Sequence, residues 1–185
     1  MGLRISIDLD DDDLKHFQLI MREARNSAAA WQPEDIIASA EALLLKVDKE
    51  RITGFVAERL RKLEVMISML TDHEWRLPQK DTARVLNALT YFAEPEDLIP
   101  DHVPGIGYLD DAIMIELVVR ELQHEIEAYD DFCDFRRQNE PARGIKAKTT
   151  DLTRESWLAG RRKALQGRMQ RRRKRGRAKS RPRLI

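Results

Sequence analysis

The amino-acid sequence predicts an all-α fold: a bundle of about five helices with a Pro/Gly/Asp-rich connecting loop and a basic C-terminal tail. Apolar residues recur at three- and four-residue spacing along most of the chain, as they do on the buried face of an amphipathic helix. The alternation typical of a strand occurs only over residues 3–9, and no partner strand follows it. The 185 residues, 42% of them hydrophobic, are enough for a core of ordinary size.

The first three helices are predicted from their start signals and apolar spacing. The acidic run at 10–13 offers an N-cap and a favourable interaction with the dipole of a first helix. Pro33 suits the first turn of a second helix, which extends to about Val47. Apolar residues from Ile52 to Leu70 predict a longer third helix.

The last two helices of the bundle flank the connecting loop. Asp81 lies near the start of a fourth helix, whose apolar face continues to Phe92. After the loop, Asp110 is placed as the N-cap and Asp111 as a first-turn acid of a fifth helix that reaches towards Asn139. The predicted segments are a flexible N-terminus at 1–9, a helical domain at 10–140, a linker at 141–152 and a partly helical basic tail at 153–185.

The connecting loop, residues 91–111, combines prolines and glycines with acidic residues at fixed offsets. Its motif consists of Tyr91, Pro95, the run DLIPD at 97–101, VP at 103–104 and GYLDD at 107–111. Over roughly residues 85–122 this pattern resembles the YkvA-like family, bacterial domain of unknown function 1232. The resemblance implies a small helical domain, associated with membranes in some relatives, and supplies no activity or catalytic residue. His102 and Glu116 depart from the family pattern.

Four carboxylates of the loop form a candidate site for a divalent metal or for acid–base chemistry: Asp97, Asp101, Asp110 and Asp111. Hard cations require converging oxygen ligands, and the prolines would hold such ligands in place. The alternative is structural: the first two acids form turn hydrogen bonds, and the other two satisfy backbone N–H groups at the start of the next helix. A divalent metal is therefore the one cofactor that the sequence suggests.

The net charge of +1 conceals a strong segregation of charge. Residues 161–185 hold 13 of the 33 Lys and Arg and no acid, which leaves 20 basic against 32 acidic residues before them. We therefore expect a compact acidic body joined to a separate basic arm. The candidate contacts to an anionic partner are Arg161, Arg162, Lys163, Arg168, Arg171, Arg172, Arg173, Lys174, Arg175 and Arg177.

Three functions remain open at this point. The first is a noncatalytic binding or adaptor protein whose basic tail contacts nucleic acid or the ribosome. The second is a metal-dependent enzyme that uses the loop carboxylates, although no nucleophile or phosphate-binding motif accompanies them. The third is a peripheral membrane protein whose tail contacts an anionic surface. A tail that folds back on the acidic body or aids solubility is the structural alternative to a binding role.

The expected location is cytoplasmic, with peripheral membrane contact as the alternative. The single Cys133 excludes an intramolecular disulfide, which favours a reducing compartment. The first 13 residues lack the continuous apolar segment of a signal peptide. The most apolar run, residues 112–119, is too short to span a bilayer and contains Glu116.

Overall fold

The computed structural model describes residues 8–27, 31–47, 52–93, 99, 107–138 and 151–179, with side chains given from residue 155 to residue 176 of the last range. Within these ranges the chain is helical and contains no strand, so the all-α prediction is confirmed. The helices are α1 (Asp11–Ser27), α2 (Pro33–Lys46), α3 (Gly54–Thr71), α4 (Gln79–Leu89), α5 (Leu109–Glu121), α6 (Gln123–Gln138) and α7 (Asp151–Lys179), together with a short 3-10 helix at Thr90–Ala93.

Helix α1 begins within the acidic run, as predicted. Asp10 Oδ1 accepts hydrogen bonds from the backbone N–H groups of Asp12 at 2.8 Å and Asp13 at 2.9 Å. The carboxylate of Asp13 in turn accepts one from Asp10 N at 3.1 Å. This reciprocal arrangement satisfies donors that a helix start leaves without an intrahelical partner.

The fifth predicted helix is two helices in the structure. Helix α5 ends at Glu121 and α6 begins at Gln123, with Leu122 between them fully buried. Neither proline nor glycine marks this break, and the apolar spacing continues across it. The sequence therefore predicted one continuous helix, and the described part of the predicted helical domain holds six α-helices instead of about five.

One compact unit comprises Met1–Ile67 and Ala83–Val118. Within it, α1 and α2 both contact the 3-10 helix. Its buried side chains are mainly aliphatic and include Ala40, Leu63, Val85 and Leu89. Burial of such side chains stabilises the fold by roughly 1.5–3 kcal/mol for each large one.

A second compact unit comprises Ser68–Thr82 and Val119–Ile185. Helix α7 packs along α6 in this unit. The fully buried Trp75 lies against the rings of Phe132 at 5.1 Å and Tyr129 at 5.8 Å between centroids. Tilted aromatic contacts of this kind stabilise the unit beyond the area that they bury.

The basic segment is not a separate arm where the structure describes its side chains. Leu158, Leu165 and Met169 of α7 are 2%, 2% and 1% exposed. They repeat at helical spacing and form an apolar stripe, so α7 packs as an ordinary amphipathic helix of its unit. The expectation of a detached arm was wrong because it rested on net charge alone. Net charge takes no account of the three apolar residues that lie among the arginines. Residues 141–150 of the predicted linker lie outside the described residues, and α7 already begins at Asp151.

In the parts of the chain that the structure describes, no helix combines the length and apolar character needed to cross a membrane.

Candidate functional site

Two of the four loop carboxylates can be placed. Asp97 and Asp101 lie outside the described residues, whereas Asp110 and Asp111 are the second and third residues of α5 and are 1% and 5% exposed. Asp110 Oδ2 accepts a hydrogen bond from Ile99 N at 2.9 Å. Among the described residues, no group of three or more His, Cys, Asp or Glu is arranged to hold a metal ion.

Asp110 is not the N-cap that the sequence predicted. Helix α5 begins one residue earlier, and Ala112 N donates to the carbonyl oxygen of Tyr108 at 3.1 Å. The Asp110 carboxylate therefore ties Ile99 of the connecting loop to α5 instead of capping its own helix. A buried carboxylate that accepts a backbone N–H is a structural contact of the kind that positions loops.

Helix α7 holds the second candidate site, and eight of the basic residues whose side chains the structure describes fall into two sets. Four arginines pair with residues of their own unit, and we call them the paired basic face: Arg162, Arg168, Arg172 and Arg173. Four other cations are exposed, and we call them the outer basic face: Lys163, Arg171, Lys174 and Arg175. At 100° per residue, the outer set falls within about 120° around the helix axis and the paired set within an adjoining arc of about 140°.

Arg173 lies between two buried carboxylates. Its Nη1 atom is 2.6 Å from Asp81 Oδ1 and 2.7 Å from Glu125 Oε1, and both acidic side chains are 1% exposed. Burial alone would lower the pKa of Arg173, but the hydrogen bonds and charges of the two acids raise it above its ordinary value. The guanidinium is therefore committed to these acids, since its loss would remove the positive charge that contacts both buried carboxylates.

Arg168 and Arg172 pair with acids of α6 at the surface. Arg168 contacts Asp131, and Arg172 contacts Glu127. All four side chains are about two-fifths exposed. Solvent screens such pairs, so each contributes between about 0 and 1 kcal/mol to folding and serves mainly to fix the register of α7 on α6.

In its middle turns, α7 binds backbone carbonyls of the segment that precedes α4. Arg162 Nη1 donates to the carbonyl oxygen of Glu74 at 2.6 Å, and Gln166 Nε2 donates to that of Trp75 at 3.0 Å. Buried carbonyl groups need such partners, because an unsatisfied one costs about 1–3 kcal/mol. These two side chains therefore hold α7 against the backbone on either side of the buried Trp75 by satisfying its carbonyl groups.

The cations of the outer basic face are exposed on α7, and none of them has an acidic partner among the described residues. Arg161 stands apart from both sets, because its guanidinium carbon lies 5.2 Å from the ring centroid of Phe135. The side chain of Arg177 lies outside the described residues. Of the ten predicted contact residues, the structure thus leaves four exposed and unpaired.

A polar cluster around Asp72 escaped the sequence reasoning. Asp72 accepts hydrogen bonds from Trp75 N at 3.1 Å, Tyr129 Oη at 3.0 Å and Arg136 Nη1 at 2.8 Å. Burial alone would raise the pKa of Asp72, but the backbone N–H groups of Trp75 and Glu74, with Tyr129 and Arg136, lower it below its usual range. Arg136 lies 64 residues further along the chain, and no short-range motif indicates such a pair.

Cys133 lies beside this cluster and is partly buried. Arg136 Nη2 is 3.7 Å from its Sγ atom. Burial raises the pKa of the thiol, and the contacts with Tyr129 and Arg136 offset this only in part. A raised pKa with partial burial is typical of a structural cysteine.

Comparison with known proteins identifies one segment of the chain. A family model described as protein of unknown function (DUF1232) matches residues 83–117. No curated protein matches the chain, and no solved structure does. The matched segment falls within the first unit, and α7 lies outside it. Residues 83–117 therefore carry the DUF1232 pattern, and the YkvA-like resemblance predicted from the loop motif is confirmed over this segment.

Proposed function

We propose that this chain is a noncatalytic nucleic-acid-binding protein in which the outer basic face of α7 holds the phosphates. The observation that carries the proposal is the division of one helix into paired and unpaired cations. Arg162, Arg168, Arg172 and Arg173 are occupied by contacts that stabilise the unit. Contacts that stabilise the unit do not account for the positive charge of the other four cations, which are exposed on one side of the same helix: Lys163, Arg171, Lys174 and Arg175.

The spacing of the outer basic face suits a phosphate backbone. Lys163 and Arg175 are twelve residue steps apart, which corresponds to a rise of about 18 Å along the helix. One strand of a B-form helix places a phosphate every 3.4 Å along its axis, so about five phosphates fit beside the four cations. Binding would release counterions condensed on the polymer, a driving force that needs no reading of base sequence.

A membrane surface fits α7 less well than a nucleic acid does. An amphipathic helix binds a bilayer by inserting its apolar face below the headgroups. The apolar face of α7, formed by Leu158, Leu165 and Met169, is already buried within its own unit. Apart from the half-exposed Trp157, the described part of the helix therefore offers charge to an anionic partner without the continuous hydrophobic face that membrane insertion requires.

The proposal is tested by removing the outer basic face without disturbing the paired one. A variant with Lys163, Arg171, Lys174 and Arg175 changed to Gln is compared with the unaltered protein by fluorescence anisotropy on a 20-nucleotide single strand in 0.1 M salt. We expect affinity to fall on the order of a hundredfold, because four phosphate contacts are lost. The matched control changes the exposed Lys15, Arg22, Arg61 and Lys80 to Gln, which alters the net charge equally.

If both variants weaken binding equally, the loss of affinity reflects net charge and not the outer basic face, which would count against the proposal. Unchanged binding by the outer-face variant would reject the proposal. Purification from cells with and without nuclease adds an independent measurement. We expect nucleic acid to accompany the unaltered protein and to be lost after nuclease treatment. Binding to anionic vesicles with no binding to the oligonucleotide would favour a membrane role instead.

A cation-binding function of the loop carboxylates is the second candidate. The observation that favours it is the Oδ1 atom of Asp110, which is buried and has no hydrogen-bond partner among the described residues. Calorimetry with Mg²⁺, Mn²⁺ and Ca²⁺ tests it: binding that disappears in Asp110→Asn would support the candidate. The absence of heat with all three ions would remove it.

A further inference from the structure

Trp157 is the starting point, because it is a large aromatic side chain left half in solvent. Its side chain is 49% exposed, whereas Leu158, Leu165 and Met169 of the apolar stripe are almost fully buried. The indole lies against the ring of Phe135, with 4.7 Å between centroids and 55° between planes. The Phe135 ring also carries the Arg161 guanidinium 5.2 Å from its centroid. Phe135 therefore supports the indole from one side while about half of its surface stays accessible.

Trp157 also lies in line with the outer basic face. At 100° per residue it falls at the edge of the arc that holds Lys163, Arg171, Lys174 and Arg175, at the same angle as Arg175. It precedes Lys163 by six residues, or about 9 Å along the helix axis, and Arg175 by about 27 Å. An extended ligand that follows the four cations would therefore reach the indole at one end.

We infer that the ligand of α7 is single-stranded nucleic acid, with an unpaired base stacked on Trp157 and its phosphates along the outer basic face. This inference rests on the proposed function and names its substrate class. Proteins that bind single strands without sequence preference combine a basic track with aromatic side chains on which bases stack. In a duplex the bases already stack on one another, so Trp157 would gain nothing from a double-stranded ligand.

Stacking and charge can be separated by changing the ligand and leaving the protein unaltered. The first comparison uses a 20-nucleotide strand and a strand of equal length in which every base is replaced by a stable abasic sugar. Both present the same phosphates, but only the first can stack. We expect the ordinary strand to bind about 5- to 150-fold more tightly, which corresponds to one stacked base. Equal affinity of the two strands would overturn the inference.

The second comparison changes Trp157 itself. Trp157→Ala should bind the ordinary strand about as weakly as the unaltered protein binds the abasic strand, while Trp157→Phe retains most of the affinity. Because α7 carries its phosphate contacts elsewhere, the salt dependence of Trp157→Ala should be unchanged. Thermal unfolding of each variant checks that loss of the Phe135 contact has not loosened α7. If Trp157→Ala unfolds at a lower temperature than the unaltered protein, the comparison of the ordinary and abasic strands still tests the inference, because it uses the unaltered protein.

A duplex of equal length completes the test. We expect the unaltered protein to prefer the single strand, and we expect Trp157→Ala to reduce this preference. Duplex binding as tight as single-strand binding would overturn the inference while leaving the proposed function in place. Failure to bind either polymer would reject the proposed function itself, so the two failures are distinguishable.

Discussion

At the residue scale, Arg173 and Arg171 show how two arginines of one helix take different roles. Arg173 bridges the buried carboxylates of Asp81 and Glu125, whereas Arg171 is exposed and has no acidic partner among the described residues. Removing one member of a buried ion pair leaves an uncompensated buried charge, but changing an exposed side chain seldom alters folding.

We therefore expect Arg173→Gln to lower the free energy of unfolding by about 3–5 kcal/mol and Arg171→Gln to change it by less than about 0.5 kcal/mol. Urea denaturation followed by circular dichroism measures both. The triple variant Arg173→Gln, Asp81→Asn and Glu125→Gln should recover part of the loss, because it removes the buried charges. Equal stabilities for Arg173→Gln and Arg171→Gln would contradict the assignment of the two faces.

Asp72 predicts an acid dependence of stability. Its pKa is lower in the folded protein than the ordinary value of 3.8, so the folded state binds this proton more weakly than the unfolded state does. The contribution is fully present above the unfolded pKa and is lost as the pH falls below about 4 through the folded pKa. We expect the free energy of unfolding to fall less steeply between pH 5 and pH 2 in Asp72→Asn than in the unaltered protein. Parallel profiles would show that another group carries the acid sensitivity.

Cys133 predicts slow thiol chemistry. Burial raises its pKa, and only the thiolate is nucleophilic. At pH 8 we expect a disulfide reagent to modify the native protein at least about tenfold more slowly than the protein unfolded in urea. Arg136 partly offsets the raised pKa. If the reagent modified the native and the unfolded protein at the same rate, the thiol would be fully accessible to solvent. That result would contradict the partial burial of Cys133 on α6.

Sequence reasoning at this scale identified residue types better than partners. The acidic run at 10–13 predicts an N-cap because the Asp10 carboxylate and the backbone N–H groups that donate to it lie within three residues. Asp110 was assigned to the same role, but its partner, Ile99, lies eleven residues earlier in the loop. Local spacing carries no information about partners at that separation, so the contacts of Asp72 and Arg136 were missed for the same reason.

At the scale of elements, α7 depends on its apolar stripe. Leu165 of α7 is 2% exposed, whereas Leu45 of α2 is 87% exposed. We expect Leu165→Ala to lower the free energy of unfolding by about 2–5 kcal/mol, because it removes buried methyl groups and leaves a cavity. The same substitution at Leu45 should cost less than about 0.5 kcal/mol. Urea denaturation compares the pair, and a Leu165→Ala variant as stable as Leu45→Ala would show that α7 does not pack on α6.

The helices themselves were largely predictable, and their associations were not. Apolar spacing and start signals located α1 to α4, since both are local properties of the chain. The same spacing ran through Leu122 without a proline or glycine, so the division between α5 and α6 left no signal. Leu158, Leu165 and Met169 were visible as a stripe within α7, but the surrounding arginines made a detached arm the simpler expectation.

At the scale of the whole molecule, the contacts of α7 account for only part of the positive charge that is concentrated at the C-terminal end of the chain. Part of the positive charge neutralises acids of the second unit, including Glu125, Glu127 and Asp131. The remainder on the outer basic face is what we propose for nucleic-acid binding. The DUF1232 match covers residues 83–117 of the first unit and brings no activity with it. The proposed role of α7 therefore involves residues outside the matched segment.

The salt dependence of binding tests this account most directly. The logarithm of the binding constant for a single strand is measured against the logarithm of salt concentration, for the unaltered protein and for the variant with Lys163, Arg171, Lys174 and Arg175 changed to Gln. Four lost phosphate contacts should make the slope less steep by about 3, while the variant with Lys15, Arg22, Arg61 and Lys80 changed to Gln keeps the original slope. Identical slopes for the unaltered protein and the outer-face variant would contradict the account.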